Sequence, residues 1–159
     1  MAREDSEVLD VRTVPADGEI ALGLVEAMIA DVSRLYGRID VPDAPTATPE
    51  ELSPPHGAFV AVFEDGRPVA GGGLKRLDDA ACEIKRMYVV PEARGRGVGR
   101  VLLAALEDEA RRLGYRLARL DTGDQQPRAQ RLYERAGYRA IGNFNANRFA
   151  SFWGEKALT

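Results

Sequence analysis

The sequence predicts an α/β domain: a mixed, mostly antiparallel sheet of six to seven strands flanked by about four helices. Between Ala58 and Val90 two hairpin signals follow one another, which makes an antiparallel meander. After Pro91 the pattern changes to helix, strand, helix, strand, which lays helices against that sheet. The chain is also the right size for one domain. Its 159 residues, 45% hydrophobic and 30% charged, are enough to bury a core and unlike a disordered or fibrous chain.

Each element has its own signal. Glu7 to Val14 alternates loosely and stops at Pro15, which suits a first strand. From Pro15, Ile20, Leu24, Ala27 or Met28, and Leu35 recur at spacings of three and four, and Gly37 suits a helix stop. The stretch from Arg38 to Gly57 holds five of the nine prolines (Pro42, Pro45, Pro49, Pro54 and Pro55), so it is neither a central strand nor a long helix. It is either a lid or binding loop, or a plain surface connection. Ala58 to Glu64 reads as a strand, Asp65-Gly66 as a hairpin turn and Pro68 to Leu77 as the returning strand. Gly71, Gly72 and Gly73 interrupt that strand and ask for a bulge or a close approach of another backbone. Asp78-Asp79 turns the chain again, into a strand from Cys82 to Val90.

The second half alternates. Val98, Leu102, Leu106, Ala110 and Leu113 share one helical face, with Glu107–Arg111 and Asp108–Arg112 as i,i+4 pairs on the opposite side and Gly114 as the stop. Tyr115 to Thr122 is a strand. Pro127 opens a helix through Ala129, Leu132, Tyr133 and Ala136 to Gly137. Tyr138 to Ile141 and Ser151 to Leu158 read as the last two strands. No internal repeat is visible.

Composition excludes several classes of function. A net charge of −3 lacks the basic surplus of a nucleic-acid binder, although arginines cluster between Arg86 and Arg139. One cysteine, Cys82, rules out an internal disulfide and disfavours a zinc site, so no metal is expected. The single histidine, His56, sits in the Pro-rich stretch, away from any catalytic pattern. Met1 to Asp10 is charged without an apolar run, and no stretch reaches the length of a membrane span. The expected setting is therefore a reducing cytoplasm, without membrane or nucleic-acid partners.

The most informative segment runs from Met87 to Arg100. A strand enters a Gly-rich turn, and the turn opens an amphipathic helix. Glycines let backbone N–H groups approach an anion, the helix N-terminus adds the positive end of its dipole, and Arg94, Arg96 and Arg100 add charge. Such a cradle fits a pyrophosphate, although Gly-rich turns of this kind also occur without ligands. It is not a Walker A loop, because no Gly-Lys follows. Gly95-Arg96-Gly97-Val98-Gly99 also has the wrong spacing for a dinucleotide fingerprint.

The run Arg94-x-x-Gly97-x-Gly99 resembles the Q/R-x-x-G-x-G/A signature of the GNAT superfamily of N-acetyltransferases. Met87-Tyr88-Val89-Val90-Pro91 resembles that family's cofactor strand, and Leu132-Tyr133-Glu134-Arg135-Ala136-Gly137-Tyr138 resembles its second signature, in the expected order. The resemblance covers roughly Ala58 to Leu158, which would be the cofactor-binding core. Residues 7–57 fit the family's variable substrate-side half by position only, and residues 1–159 form a single domain.

The resemblance implies an acetyl-CoA-dependent acyltransferase that moves an acetyl group to an amine. Backbone groups of Met87 and Val89, on either side of Tyr88, would pair with the pantetheine arm as an added strand does. The amides of Gly95, Arg96, Gly97, Val98, Gly99 and Arg100 would hold the pyrophosphate. The family's second helix often begins with an Asn that touches the cofactor; here Gln125, Gln126 and Pro127 occupy that region, and Gln126 is the candidate for the contact.

The chemistry needs a neutral amine, a stabilised oxyanion and a protonated leaving thiolate. Holding an amine of pKa about 10.4 neutral at pH 7 costs roughly 4–5 kcal/mol. Glu83 is the candidate base, since strict alternation would place it with Lys85, Met87 and Val89 on one face, beside apolar Met87; the other reading is an exposed strand residue paired with Lys85 or Arg86. Tyr133 is the candidate acid, or else a core aromatic. The resemblance implies that the amide of Val89 would be the oxyanion donor. Cys82 reads as a buried strand residue rather than a nucleophile. Asn145 and Asn147 either cap a turn, the reading preferred here, or meet the substrate, and with Tyr36 and the Pro-rich loop that segment could wall an acceptor pocket. The expected acceptor is a small-molecule amine. A protein lysine or N-terminus, or an acyl-CoA-sensing module without turnover, are the alternatives, and a homodimer is compatible with all three.

Overall fold

The computed structural model describes residues 9–37 and 47–159. The first half of the Pro-rich stretch and the start of the first predicted strand lie outside them. The elements follow in the order β1 (Leu9–Thr13), α1 (Glu19–Tyr36), β2 (Ala58–Glu64), β3 (Arg67–Arg76), β4 (Ala81–Val89), α2 (Val98–Arg112), β5 (Leu117–Thr122), α3 (Pro127–Arg135), β6 (Arg139–Ala140) and β7 (Phe152–Ala157), with a 3₁₀ turn at Pro91–Ala93. They build the α/β architecture expected, one seven-stranded sheet in the order β1-β2-β3-β4-β5-β7-β6. Every neighbouring pair is antiparallel except β4 with β5.

Both faces of the sheet are covered, so its central strands are apolar on both sides. All seven residues of β2 are buried. Val60 and Val62 pack with Leu74 and Ile84 against Leu102, Leu103 and Leu106 of α2. Phe59, Ala61 and Phe63 face the other way, against Ala21, Leu24 and Met28 of α1. Each of the larger side chains contributes about 1.5–3 kcal/mol on leaving water. The helical period in α1 holds for Leu24 and Met28, but Ile20 and Leu35, near its two ends, are exposed. Among the described residues no helix is long and apolar enough to cross a membrane.

The glycine run of β3 makes room for helix side chains rather than for another backbone, and the bulge lies opposite it in β4. A Cβ on Gly71 would stand 2.6 Å from Leu24 of α1, and one on Gly72 would stand 3.1 Å from Leu106 of α2. The two helices therefore press on the sheet from opposite sides at its thinnest point. Opposite the run, β4 bulges: Gly71 pairs Tyr88 while Gly73 pairs Lys85, three steps against two.

The expected i,i+4 pairs on α2 do not form. Glu107 is buried and accepts bonds from Tyr138 (2.9 Å) and Lys156 (2.9 Å), because its turn of the helix faces β7 and the chain after α3. Arg111 instead bonds Asp108 at 2.9 Å, and Arg112 bonds Glu109, both i,i+3.

Two features of the sheet position the site. The parallel pairing of β4 with β5 ends at Glu83–Arg119, so the last residues of both strands diverge. β7 then inserts between β5 and β6, with Phe152 beside Thr122, which carries the chain from Ile141 to Ser151 across the C-terminal end of β5.

Candidate active site

The diverging ends of β4 and β5 open a cleft of about 900 Å³. Its walls come from the second half of α1, β4 from Ile84 to Val89, the turn at Arg94–Gly99, Asp121–Gly123, and the start of α3 with Leu132 and Tyr133. A crevice outside the carboxyl ends of strands is where open α/β sheets bind ligands.

The cradle forms as the glycine pattern requires. Gly97, the residue before α2, takes a left-handed backbone at φ 83, open to glycine at little cost, and no side chain caps the helix there. The first-turn amides of Val98, Gly99 and Arg100 have no partner within the helix, and they stand at the positive end of its dipole. A Cβ on Gly99 would lie 3.4 Å from Leu132, so α3 closes against the same turn. Gly95, Gly97, Val98 and Gly99 all line the cleft.

The arginines of that turn do not act together. Arg94 lines the cleft, bonding the carbonyl of Val89 (2.8 Å) and the carboxylate of Asp31 on α1 (3.1 Å). Arg96 turns away and grips Glu64 of β2 with both nitrogens, at 2.6 and 3.0 Å. The side chain of Arg100 likewise stands outside the cleft lining. Arg96 and Arg100 therefore add charge near the turn rather than within the cleft.

Strand β4 offers backbone to the cleft. The amide of Val90 donates to Val69 of β3 (2.9 Å), so by alternation the amides of Met87 and Val89 point to the opposite, open side. The Tyr88 side chain faces α1, its hydroxyl donating to Asp31 at 2.9 Å.

Alternation along β4 is not strict, and this corrects the placement of Glu83. Arg86 has a left-handed backbone, φ 65, at the bulge. Cys82 and Ile84 before it and Met87 and Val89 after it all pack on the α2 side. Glu83 and Lys85 thus share the face of Tyr88, opposite Met87. Glu83 is 3% exposed and does not line the cleft. Its carboxylate accepts bonds from Lys85 (3.4 Å) and from the side-chain amide of Asn145 (2.8 Å). That amide also donates to Asp121 at 2.6 Å, and Asp121 does face the cleft.

Tyr133 is buried in the cleft wall, edge-on to Tyr138 at 6.1 Å. Among the described residues its hydroxyl meets only the thioether sulfur of Met87, at 3.9 Å, a weak acceptor. Burial first, and the nearby Asp121 second, push its pKa upward, so the phenol keeps its proton at neutral pH. Cys82 is fully buried, and burial pushes its thiol up to about 12. A thiol so placed is not a nucleophile at neutral pH.

The far wall gathers residues distant in sequence. Tyr36 accepts a bond from the amide of Gln125 (2.7 Å) and lies edge-on to Phe149 at 6.3 Å. A Cβ on Gly123 would collide with the Tyr36 hydroxyl at 2.2 Å, so the end of α1 sits directly on the turn after β5. Gln126 lines the cleft there. The Asn145–Asn147 segment caps a turn, the reading preferred from the sequence, and one of its residues lines the cleft. The carbonyls of the side chains of Asn143, Asn145 and Asn147 accept backbone amides within the turn. The amide of Asn147 reaches Asp121 at 3.1 Å, and Asn147 lines the cleft. Asp31, Arg86 and Asp121 were not singled out from the sequence. Only Asp121, at the end of a strand and just before Gly123, carries a local signal.

Comparison with known proteins follows the geometry. The model of the Acetyltransferase (GNAT) family matches residues 25–138. An uncharacterized N-acetyltransferase of Escherichia coli K12, YjgM, is 31% identical over 126 residues, 74% of this chain and 75% of that one. The aminoalkylphosphonate N-acetyltransferase of Salmonella typhimurium is 42% identical over a shorter stretch of 57 residues, 36% of this chain and 37% of that enzyme. Among solved structures, the PaiA N-acetyltransferase of Thermoplasma acidophilum in complex with coenzyme A shares the fold at a TM-score of 0.71 and 19% identity, covering 94% of this chain and 99% of that one.

Proposed function

Because this chain belongs to the GNAT family of acetyltransferases and is an acetyl-CoA-dependent acyltransferase, we propose that it acetylates the primary amine of a small molecule by direct attack in a ternary complex. The observation that carries this reading is the continuity of the cleft. One cavity runs from the unfilled amides at Gly97–Gly99, past the free edge of β4 and the Tyr133 hydroxyl, to a wall made by Tyr36, Asp121, Asn147 and Phe149. Its volume of about 900 Å³ supports binding of both substrates together, and the buried Cys82 offers no covalent relay.

In this mechanism the cradle amides hold the pyrophosphate and the β4 edge orders the pantetheine arm. The amide of Val89 faces the thioester oxygen as charge grows on it. Tyr133 gives a hydrogen bond, and then a proton, to the departing thiolate. Amine deprotonation falls to the carboxylates bridged by Asn145: Asp121 faces the cleft and Glu83 lies behind it. The name of the Salmonella relative, aminoalkylphosphonate N-acetyltransferase, supports a small acceptor. The test follows thiol release from acetyl-CoA with a panel of small amines and a lysine peptide. Turnover of small amines supports the reading. Turnover of the peptide alone moves the acceptor to proteins. Coenzyme A binding with no turnover of any amine removes the transferase reading of this site.

A further inference from the structure

Of the cations lining the cleft, Arg34 and Arg128 are exposed, and Arg86 is a half-buried one that the proposed chemistry does not use. Arg86 lines it midway along β4, half-buried, and its guanidinium makes no hydrogen bond or ion pair with any described residue. The other half-buried cation of the cleft, Lys85, is held by Glu83, and Arg94 is held by Asp31. Such a cation in a partly dry wall is costly unless an anion meets it, and burial already draws its pKa down.

The backbone adds a second observation. The other two non-glycine residues with positive φ among those described, Asp65 and Ala146, sit in turns. Arg86 alone has it within a strand, at the bulge. A left-handed backbone on a long side chain is strained, and such strain gathers at functional sites. Here it is what aims residue 86 at the cleft.

The position separates this charge from the cofactor's phosphates. Those are served by the turn at Gly95–Gly99, beyond the end of the strand. Arg86 instead adjoins Met87, whose sulfur meets the Tyr133 hydroxyl. Resting on the small-amine reading above, we propose that Arg86 is the anchor for an oxyanion on the acceptor: the substrate is a primary amine carrying a carboxylate or phosphonate a few bonds from its nitrogen. The planar guanidinium takes either oxyanion by two parallel hydrogen bonds. Asp121 faces the same cleft and suits the ammonium end, so the two charges of such a substrate meet opposite charges on the walls.

The test compares propylamine, β-alanine and 2-aminoethylphosphonate as acceptors. The parent should prefer one or both anionic amines over propylamine by about tenfold or more in kcat/KM. Arg86→Gln should collapse that ratio to within about threefold, through KM of the anionic acceptor, while the Kd for coenzyme A measured by calorimetry stays within about twofold. Arg86→Gly removes the charge and also relieves the positive φ, so it should melt no earlier than the parent and still lose the preference. Equal use of propylamine by the parent, or coenzyme A affinity falling in step with acceptor affinity, would overturn the assignment. The result can be separated from failure of the transferase reading. If no amine turns over, NMR titration of the coenzyme A-loaded protein with 2-aminoethylphosphonate still decides it: binding by the parent and not by Arg86→Gln sustains the anchor, and equal binding or none sinks it.

Discussion

At one end of the cleft the wall is backbone: the amides of Val98, Gly99 and Arg100 and the open edge of β4, all from one run of chain. At the other end it is side chain: Tyr36 from α1, Asp121 from β5, Asn147 and Phe149 from the crossing before β7. The backbone end suits a constant ligand, since main-chain donors are the same whatever the side chains. The side-chain end can be rewritten one residue at a time. Damage at the first end should therefore abolish coenzyme A binding, and damage at the second should change acceptor use while leaving that affinity in place.

The largest effect is expected from Gly97→Glu, which forces a side chain onto φ 83 and sets a carboxylate where an anion should bind. Calorimetry should show coenzyme A affinity falling about a hundredfold or more, whereas a near-parental Kd would mean the cradle is not the phosphate site. Tyr133→Phe, between the two ends, keeps the ring and removes the proton. It should lower kcat by about tenfold or more with little change in melting temperature or coenzyme A binding. Because the phenol's pKa is raised, its protonated form persists as pH climbs through the neutral range. The pH–rate profile of the parent should thus show no falling limb below about pH 10 from this group. A parental kcat in Tyr133→Phe would leave the hydroxyl with a packing role only.

Smaller effects are expected behind the acceptor wall. Glu83→Gln loosens Asn145 and through it Asp121, and should lower kcat several-fold near pH 7 with partial recovery at higher pH as the amine loses its proton unaided. An unchanged pH–rate profile would remove Glu83 from the chemistry. The smallest effect belongs to Cys82. With its thiol pushed up to about 12, almost no thiolate exists at pH 8, so a thiol reagent should label it only after unfolding in urea. Cys82→Ala should keep kcat within about twofold, and an acetyl-cysteine seen by mass spectrometry would refute direct transfer.

The same contrast explains what could be read from the sequence. The cradle was legible because glycine spacing at a strand-to-helix turn is a local signal, as were the hairpin at Asp65-Gly66 and the helix faces around Leu24 and Leu102. Glu107 was misjudged because its partners, Tyr138 and Lys156, lie 31 and 49 residues away, and no i,i+4 pattern contains them. The acceptor wall was only partly legible for the same reason. Tyr36 and the Asn145–Asn147 segment were read as a candidate wall, but the meeting of Tyr36 with Phe149 across Gly123 depends on β7 slipping between β5 and β6. The pairing of Asp31 with Arg34 is local, but its role as partner of Tyr88 and Arg94, 57 and 63 residues away, has no local signal.

The bulge at Arg86 has a consequence for recombination between relatives. A strand is a code of period two, and an extra residue shifts its phase. Upstream of Arg86 the even-numbered positions of β4 read into the α2 core; downstream the odd-numbered ones do. A chimaera that joins this strand to a relative's must keep the shift, or every position beyond the junction will present its polar partner to the core and its apolar one to α1. The hydropathy of each parent segment would look unimpaired, and the defect would appear only as a mismatch between two reading frames of side chains.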